Sequence, residues 1–494
     1  MKYSFLPLFL LLLIGCQTPE KSTKTTFNQL THLIDQYSTD AIKKGHLNAL
    51  AISIFKDGKT YHNYYGELEK GKGNLPNDNT LFEIASISKV FLGSLVAKAV
   101  LEEKINLDDD IRKFLGEGYS NLEFEKTPIT VKNLVTHTIG FDTPPKLEVI
   151  FDKMSSGYYE TNSMNYNMKD LLEELKGVKL IHKPGTFYDY SSVGCELAAY
   201  VLERAYNKPY KELLQEFFDQ LGMKNSYLLE FDQHKEQIAT GYDHNNKLAP
   251  FSRNPLLGGS AGIITSVPDL TKFMKFQLES DDPLIKESVK KLFEDDKDNS
   301  MGYLWQDLGF AEEEGFFYMK SGDSNGVQSI LLICPDSNYG QIIIANNQTD
   351  SATNDWASLY YDIEPDLIKY PRLNLTSLLR DDFLKDKESA KAKFLTLSTQ
   401  DSIYYKTDLI YALNSVGYDA LLVEKDIEKA IELFQFAIAE APDNANLYDS
   451  LGEAYYVAKE YEKSLTNYKK SLELNPKNKN AENYIEKINS LLKS

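Results

Sequence analysis

The sequence predicts a mixed α+β domain whose sheet is closed by its N- and C-terminal segments, followed by a second domain that is all helix. Three observations carry this expectation. Strand-like stretches stand at both ends of the first 350 or so residues with helical patterns between them, so N- and C-terminal segments close one sheet. Val90 to Leu101 is apolar nearly all round yet too short to span a bilayer, which marks a helix buried inside a domain. Beyond about residue 350 the strand patterns stop, and a helical pattern repeats with a period of 34 residues.

At 494 residues the chain is long enough for two or three domains. A hydrophobic content of 42% with 12% aromatic residues indicates globular structure, and a net charge of −19 with no basic stripe excludes a nucleic-acid binder. Residues 1–16 read as a signal peptide: Lys2, an apolar run from Phe5 to Ile14, then Gly15-Cys16. Leu13-Ile14-Gly15-Cys16 resembles the lipobox of bacterial lipoproteins, which implies lipidation of Cys16 and a membrane anchor that does not span. Gln17 to Thr26, polar and rich in Lys and Thr, is expected to be a tether.

Asn28 to Lys44 has helical periodicity. Ala49 to Lys56 and Lys59 to Tyr65 read as strands joined by Asp57-Gly58, a strong hairpin signal. Next comes Phe82-Glu83-Ile84-Ala85-Ser86-Ile87-Ser88-Lys89, leading into the buried helix. Ser86 opens that helix and Lys89 follows one turn later on the same face. A hydroxyl at a helix N-terminus faces free N–H groups and the positive end of the dipole. A partly desolvated lysine beside it can take or direct the hydroxyl proton. Spacing alone is weak, since Ser53/Lys56, Ser288/Lys291 and Ser490/Lys493 share it; only Ser86 opens a long apolar helix. The competing reading is a serine N-cap with a solvated lysine.

Asn106-Leu107-Asp108 marks a turn, and Ile129 to Thr138 a short helix ending near Gly140. His137, among Leu, Val and Thr at a helix end, reads as a structural hydrogen-bonding residue. A mostly helical middle runs to about residue 245 and holds a tyrosine-rich loop, Pro184 to Ser192, then a buried helix from Gly194 to Tyr206. Leu257 to Ile264 precedes a helix from about Pro268 to Leu278 capped by Ser266. Gly258-Gly259-Ser260-Ala261-Gly262 matches the nucleophile-elbow string, but a β-like Ile263-Ile264 follows where the elbow needs a helix, so it reads as a backbone feature. Phe316 to Lys320, Val327 to Cys334 and Gln341 to Ala345 are three strands, with Pro335 to Asn338 as the second turn. Lys320-Ser321-Gly322 falls at the end of the first.

Asp350 to Leu379 reads as an irregular linker, placing domain boundaries at 27–350, 351–379 and 380–494. Pro442 and Pro476 are 34 residues apart; Ala430, Phe434 and Ala437 align with Ser464, Tyr468 and Ser471. Leu451, Gly452 and Tyr455 fill the first-helix positions of the second unit, whereas Gly417 lies one residue out of register with Gly452. The pattern resembles tetratricopeptide repeats, with one capping helix after Pro476 and helices at 380–410 completing the array. Cys195 and Cys334, in apolar neighbourhoods, read as free buried thiols. Seven histidines show no metal-ligand spacing, so no metal or other cofactor is expected.

Ser86-x-x-Lys89, Tyr190-Ser191-Ser192 and Lys320-Ser321-Gly322 occur in that order. Together they resemble the three motifs of the penicillin-recognising serine hydrolases, in particular the group related to class C β-lactamases, whose second motif is built on tyrosine. Val135 to Phe141, Pro184-Gly185-Thr186 and Leu221-Gly222-Met223 resemble the same family. The likeness spans about residues 27–350 and implies a β-lactamase/transpeptidase-like fold, an antiparallel sheet flanked by helices plus a helical subdomain. It also implies Ser86 as nucleophile, Lys89, Tyr190 and Lys320 as its catalytic partners, and an oxyanion hole from the backbone N–H groups of Ser86 and Asp323. Ser192, Ser321 and Gly322 would bind substrate. Ser192 stands where that motif usually carries Asn, and Asp323 where a small residue is common.

The expected function is therefore a serine hydrolase working through an acyl-enzyme on an ester or amide. It would be lipid-anchored in the bacterial cell envelope, facing the periplasm or exterior, and act on a small-molecule or peptide substrate, with repeats that contact a protein partner. Within the class, the alternative is a true β-lactamase or D-alanyl carboxypeptidase. Outside it, the alternative is a non-catalytic ligand-binding lipoprotein whose repeats scaffold partners.

Overall fold

A computed structural model describes residues 19–142, 144, 166–249, 251, 255–297 and 299–492. Residues 1–16, expected to be a signal peptide ending in Cys16, lie outside them. Two compact units result: one from Tyr37 to Ile368, the other from Lys369 onward together with the described residues up to Gln36.

Helix α1 (Pro19–Lys44) starts inside the stretch expected to be a tether. Pro19 to Thr26 is polar all round and carries no apolar stripe to announce a helix, but propagation from Asn28 adds one hydrogen bond per residue. Strands β1 (Ala49–Lys56) and β2 (Lys59–Gly66) form the predicted hairpin. Asp57 and Gly58 have φ of 50° and 77°, the left-handed pair that a two-residue turn of this twist requires. A short strand β3 (Leu81–Glu83) then leads through a 3₁₀ turn, Ala85–Ile87, into α2 (Ser88–Leu101). Helix α3 (Val131–Val135) is capped by Thr130 and Asn133 in a capping box, and α4 (Ser192–Tyr206) is capped by Ser191.

Strand β4 (Ser226–Leu228) interrupts the middle, whose pattern predicts mostly helix; three residues are too few to show a period. It joins β5 (Ile263–Ser266) and β3 in a small antiparallel sheet ordered β3-β5-β4. Ser266 caps α5 (Val267–Glu279), accepting the Asp269 N–H at 3.4 Å. Four strands complete the main sheet: β6 (Gln306–Ala311), β7 (Gly315–Ser324), β8 (Val327–Cys334) and β9 (Tyr339–Ala345). Its order is β6-β7-β8-β9-β1-β2, antiparallel throughout, so the N-terminal hairpin closes a sheet begun by the C-terminal strands. Every residue of β1, β8 and β9 is buried, which is why these strands read as continuous apolar runs. Strand β6 escaped the sequence reading because its register shifts between Gln306 and Gly309, breaking the alternation. Strand β7 extends to Ser324, so Lys320-Ser321-Gly322 lies within the strand and not at its end.

The core of this unit forms where α2 is enclosed. Phe91 meets Phe273 of α5 at 4.2 Å between ring centroids and Phe218 at 5.6 Å. Each such fully buried side chain contributes about 1.5–3 kcal/mol. The segment expected to be an irregular linker instead carries α6 (Asp350–Lys369). Ala352, Leu359, Ile363 and Leu367 make a buried stripe along it, obscured in the sequence by the Asp, Ser, Thr and Asn of its first turns and by Pro365.

In the other unit, α7 (Leu409–Tyr418), α8 (Ile427–Glu440), α9 (Ala445–Val457), α10 (Tyr461–Leu474) and α11 (Lys479–Leu491) follow the 34-residue pattern. Gly452 allows the Tyr468 ring to approach, and Gly417 does the same for Phe434. The first unit has one extra residue between its glycine and its aromatic. A π-helical turn, Asp419–Val423, takes it up. That turn explains the register offset of Gly417.

Candidate active site

Ser86 is placed by backbone. The Ile84 N–H donates to Ile263 O at 3.2 Å, tying the approach to β5, and Ala85 adopts φ 46°, a left-handed conformation for a non-glycine residue directly before the serine. The residue preceding α2 is Ile87, with no side-chain cap, so Ser86 is not an N-cap and its hydroxyl is left to other partners. Those partners converge on one atom: Lys89 Nζ lies 3.2 Å from Ser86 Oγ and Tyr190 OH lies 2.8 Å from it. Lys89 is buried, not solvated, and also donates to Ser260 O at 2.9 Å.

Strand β7 brings Lys320 to the same place. Its Nζ sits 4.7 Å from the Tyr190 ring centroid, and Lys89 Nζ sits 4.9 Å from it. Lys320 also donates to Gln306 Oε1 at 3.1 Å. Tyr190 is 44% exposed, yet loss of water around its hydroxyl would by itself raise the phenol; the two ammonium charges and the Ser86 hydroxyl outweigh this and hold it below its ordinary value. Burial, with Lys89 nearby, pushes Lys320 down. Lys89 is pulled down by burial but ends above its ordinary value, because Tyr190, Cys195 and Glu196 favour its charged form.

His137 hydrogen-bonds structurally: its Nδ1 accepts the Ser191 N–H at 3.2 Å, and its ring lies 4.6 Å from that of Tyr190. Burial and then the two lysines depress its pKa well below the ordinary value, so it is neutral. The glycine-rich string at 258–262 runs into β5, and Ser260 contributes its backbone carbonyl to Lys89.

Gly322 lets β7 pass against the serine turn. A Cβ there would fall 2.3 Å from Ile84 O, 2.6 Å from Ser329 Oγ and 3.1 Å from Ser86 N. Ser321 is half-buried on β7, and Ser192 opens α4 two residues after Tyr190. The Asp323 side chain is exposed and accepts from Gln348 Nε2 at 2.9 Å. Cys195 and Cys334 are free and buried; burial pushes their thiols up to about 11 and about 12. Among the described residues, no group of three or more His, Cys, Asp and Glu is placed to hold a metal, and no helix is long and apolar enough to cross a membrane.

Sequence reasoning missed Glu196 and Gln306. Glu196 had a signal, a single carboxylate within the apolar run Val193 to Leu202. Gln306 had none.

The beta-lactamase family matches residues 30–360, and a tetratricopeptide repeat matches 445–478. The chain is 27% identical to Protein flp of Staphylococcus aureus over 65% of its own length and 64% of that protein, so it spans under two thirds of that relative. It is 20% identical to a beta-lactamase of Providencia stuartii, over 63% of this chain and 86% of that one. The beta-lactamase/D-alanine carboxypeptidase of Yersinia pestis superposes with a TM-score of 0.60 at 20% identity, covering 69% of this chain and 99% of that one. The octameric penicillin-binding protein homologue of Pyrococcus abyssi gives 0.58 at 22% identity, covering 73% and 81%.

Proposed function

The chain belongs to the beta-lactamase family, a family of serine hydrolases, and from that premise we propose that it cleaves an ester or amide through an acyl-enzyme on Ser86. The observation that carries this reading is the convergence of Lys89 Nζ and Tyr190 OH on Ser86 Oγ, at 3.2 Å and 2.8 Å. The Ser86 proton passes to Tyr190, whose phenolate is favoured by Lys89 and Lys320, as Oγ bonds to the carbonyl carbon. The backbone N–H groups of Ser86 and Asp323 receive the oxyanion. The carbon–leaving-group bond then breaks, and the leaving group takes the proton from Tyr190. Water, deprotonated by the same phenolate, releases the acyl group and restores Ser86.

The reading favours an ester or simple amide over a lactam, because Ser192 is shorter than the Asn usual there and cannot span the same distance to an acylamide. β-Lactamase or D-alanyl carboxypeptidase activity is the second reading, supported by Lys320, a buried ammonium suited to a substrate carboxylate. Ser321 and Gly322 line the substrate strand in both. Turnover of an aryl ester, nitrocefin and a D-alanyl-D-alanine peptide separates the two readings. Ester turnover without lactam or peptide turnover supports the first, and turnover of none makes a non-catalytic binding module the better account. We further propose that Cys16 is lipidated, holding the protein in the cell envelope on the periplasmic or outer side, and that the repeats engage a protein partner. Labelled palmitate incorporation, lost in Cys16→Ala, tests the anchor.

A further inference from the structure

Glu196 lies on α4, six residues after Tyr190, with its side chain buried. Its Oε2 accepts the Gly259 N–H at 3.0 Å and its Oε1 the Ser260 N–H at 2.9 Å. The next polar group along that backbone, Ser260 O, accepts Lys89 Nζ at 2.9 Å. Carboxylate, loop and ammonium therefore form one chain of hydrogen bonds ending at Ser86 Oγ. The loop has little slack, since a Cβ at Gly259 would meet Cys195 O at 2.9 Å.

A buried carboxylate is costly unless hydrogen-bonded and paired, and so are two buried ammonium groups around one phenol. We propose that Glu196 is a positioning residue of the acylation site. It fixes the Gly259–Ser260 backbone so that Ser260 O directs Lys89 at Ser86, and its negative charge offsets the positive charge of Lys89. The inference rests on the serine-hydrolase reading and extends it. The titratable groups facing Glu196 are Lys89 on α2, Cys195 beside it on α4 and the buried Tyr210 phenol on the following helix. Burial pushes Glu196 up to about 7, against the loop N–H donors, the Ser260 hydroxyl and Lys89, so its charge develops near neutral pH.

The test is the pH dependence of fluorophosphonate labelling of the full chain, with folding checked by thermal melting. In Glu196→Gln the shape stays and the charge goes. Labelling slows, and its acid limb moves about one pH unit lower, because the base near Lys89 loses a neighbouring anion. In Glu196→Asp the charge stays and the reach shortens, so the plateau falls while the limb holds the wild-type position. A merely structural residue lowers the plateau in both and moves neither limb. An unmoved limb in Glu196→Gln overturns the proposal, as does a limb in Glu196→Asp that moves as far as the glutamine variant's. Should Glu196→Gln fail to fold, Glu196→Met, neutral and of similar volume, takes its place, and an unmoved limb there overturns the proposal. An unlabelled wild type overturns instead the hydrolase reading on which it rests.

Discussion

Replacing Gly322 with alanine tests whether the third motif acts by letting a strand pass close to the nucleophile. The new Cβ would stand 2.3 Å from Ile84 O and 2.6 Å from Ser329 Oγ, and the first of these is backbone with no rotamer to yield. Ordinary contact is about 1 Å longer, so β7 and the serine turn must part by about that much, at a cost of about 1–3 kcal/mol. A shift of 1 Å at a reacting group lowers rate by about 100-fold. The expected result is therefore both a lower melting temperature for this unit and a labelling rate down by about two orders of magnitude. Gly177→Ala is the control, because its Cβ would meet Glu174 O at an unstrained 3.6 Å, and neither quantity should change. A Gly322→Ala protein labelled at the wild-type rate would refute the claim that the strand's approach builds the site.

Tyr190→Phe keeps the ring against His137 but removes the hydroxyl on Ser86; labelling should fall about 10²- to 10⁴-fold with melting unchanged, and retention within tenfold would remove Tyr190 from the mechanism. Glu196, pushed up to about 7, keeps a proton in the folded protein between its ordinary value of 4.5 and 7, where the unfolded chain has released it. Stability from this group therefore falls as pH rises through that window, so the melting temperature of Glu196→Gln relative to wild type should rise from about pH 5 to about pH 8. A pH-independent difference would contradict the raised value. Gly417→Ala would place a Cβ 2.4 Å from Phe434, a ring in the core of the repeat unit, and should destabilise that unit by about 1–3 kcal/mol in chemical denaturation; an unchanged midpoint would contradict the close helix approach.

What was legible in the sequence follows from what leaves a local pattern. The hairpin at Asp57-Gly58 and the strands β1, β8 and β9 announce themselves through turn chemistry and continuous apolar runs. Ser86 and Lys89 stood out because a serine opens an all-apolar helix, and the structure brings them together with Tyr190 and Lys320. The tyrosine needed its family motif, since nothing local distinguishes it from a packed aromatic. What escaped had no period to show. Strand β4 is three residues, β6 is broken by a bulge, and α6 hides its stripe behind polar first turns. The extra residue at 419–423 looked like an imperfect repeat until the π turn accounted for it. Glu196 acts through a backbone loop some 60 residues away in sequence, a coupling that no spacing encodes.

The central claim is that Ser86 is a nucleophile, and intact mass after exposure to a fluorophosphonate tests it most directly. The account predicts one adduct on the wild type and none on a folded Ser86→Ala variant. No adduct on folded wild type, or an adduct on both proteins, would contradict it; the latter would point to another serine, Ser260 first.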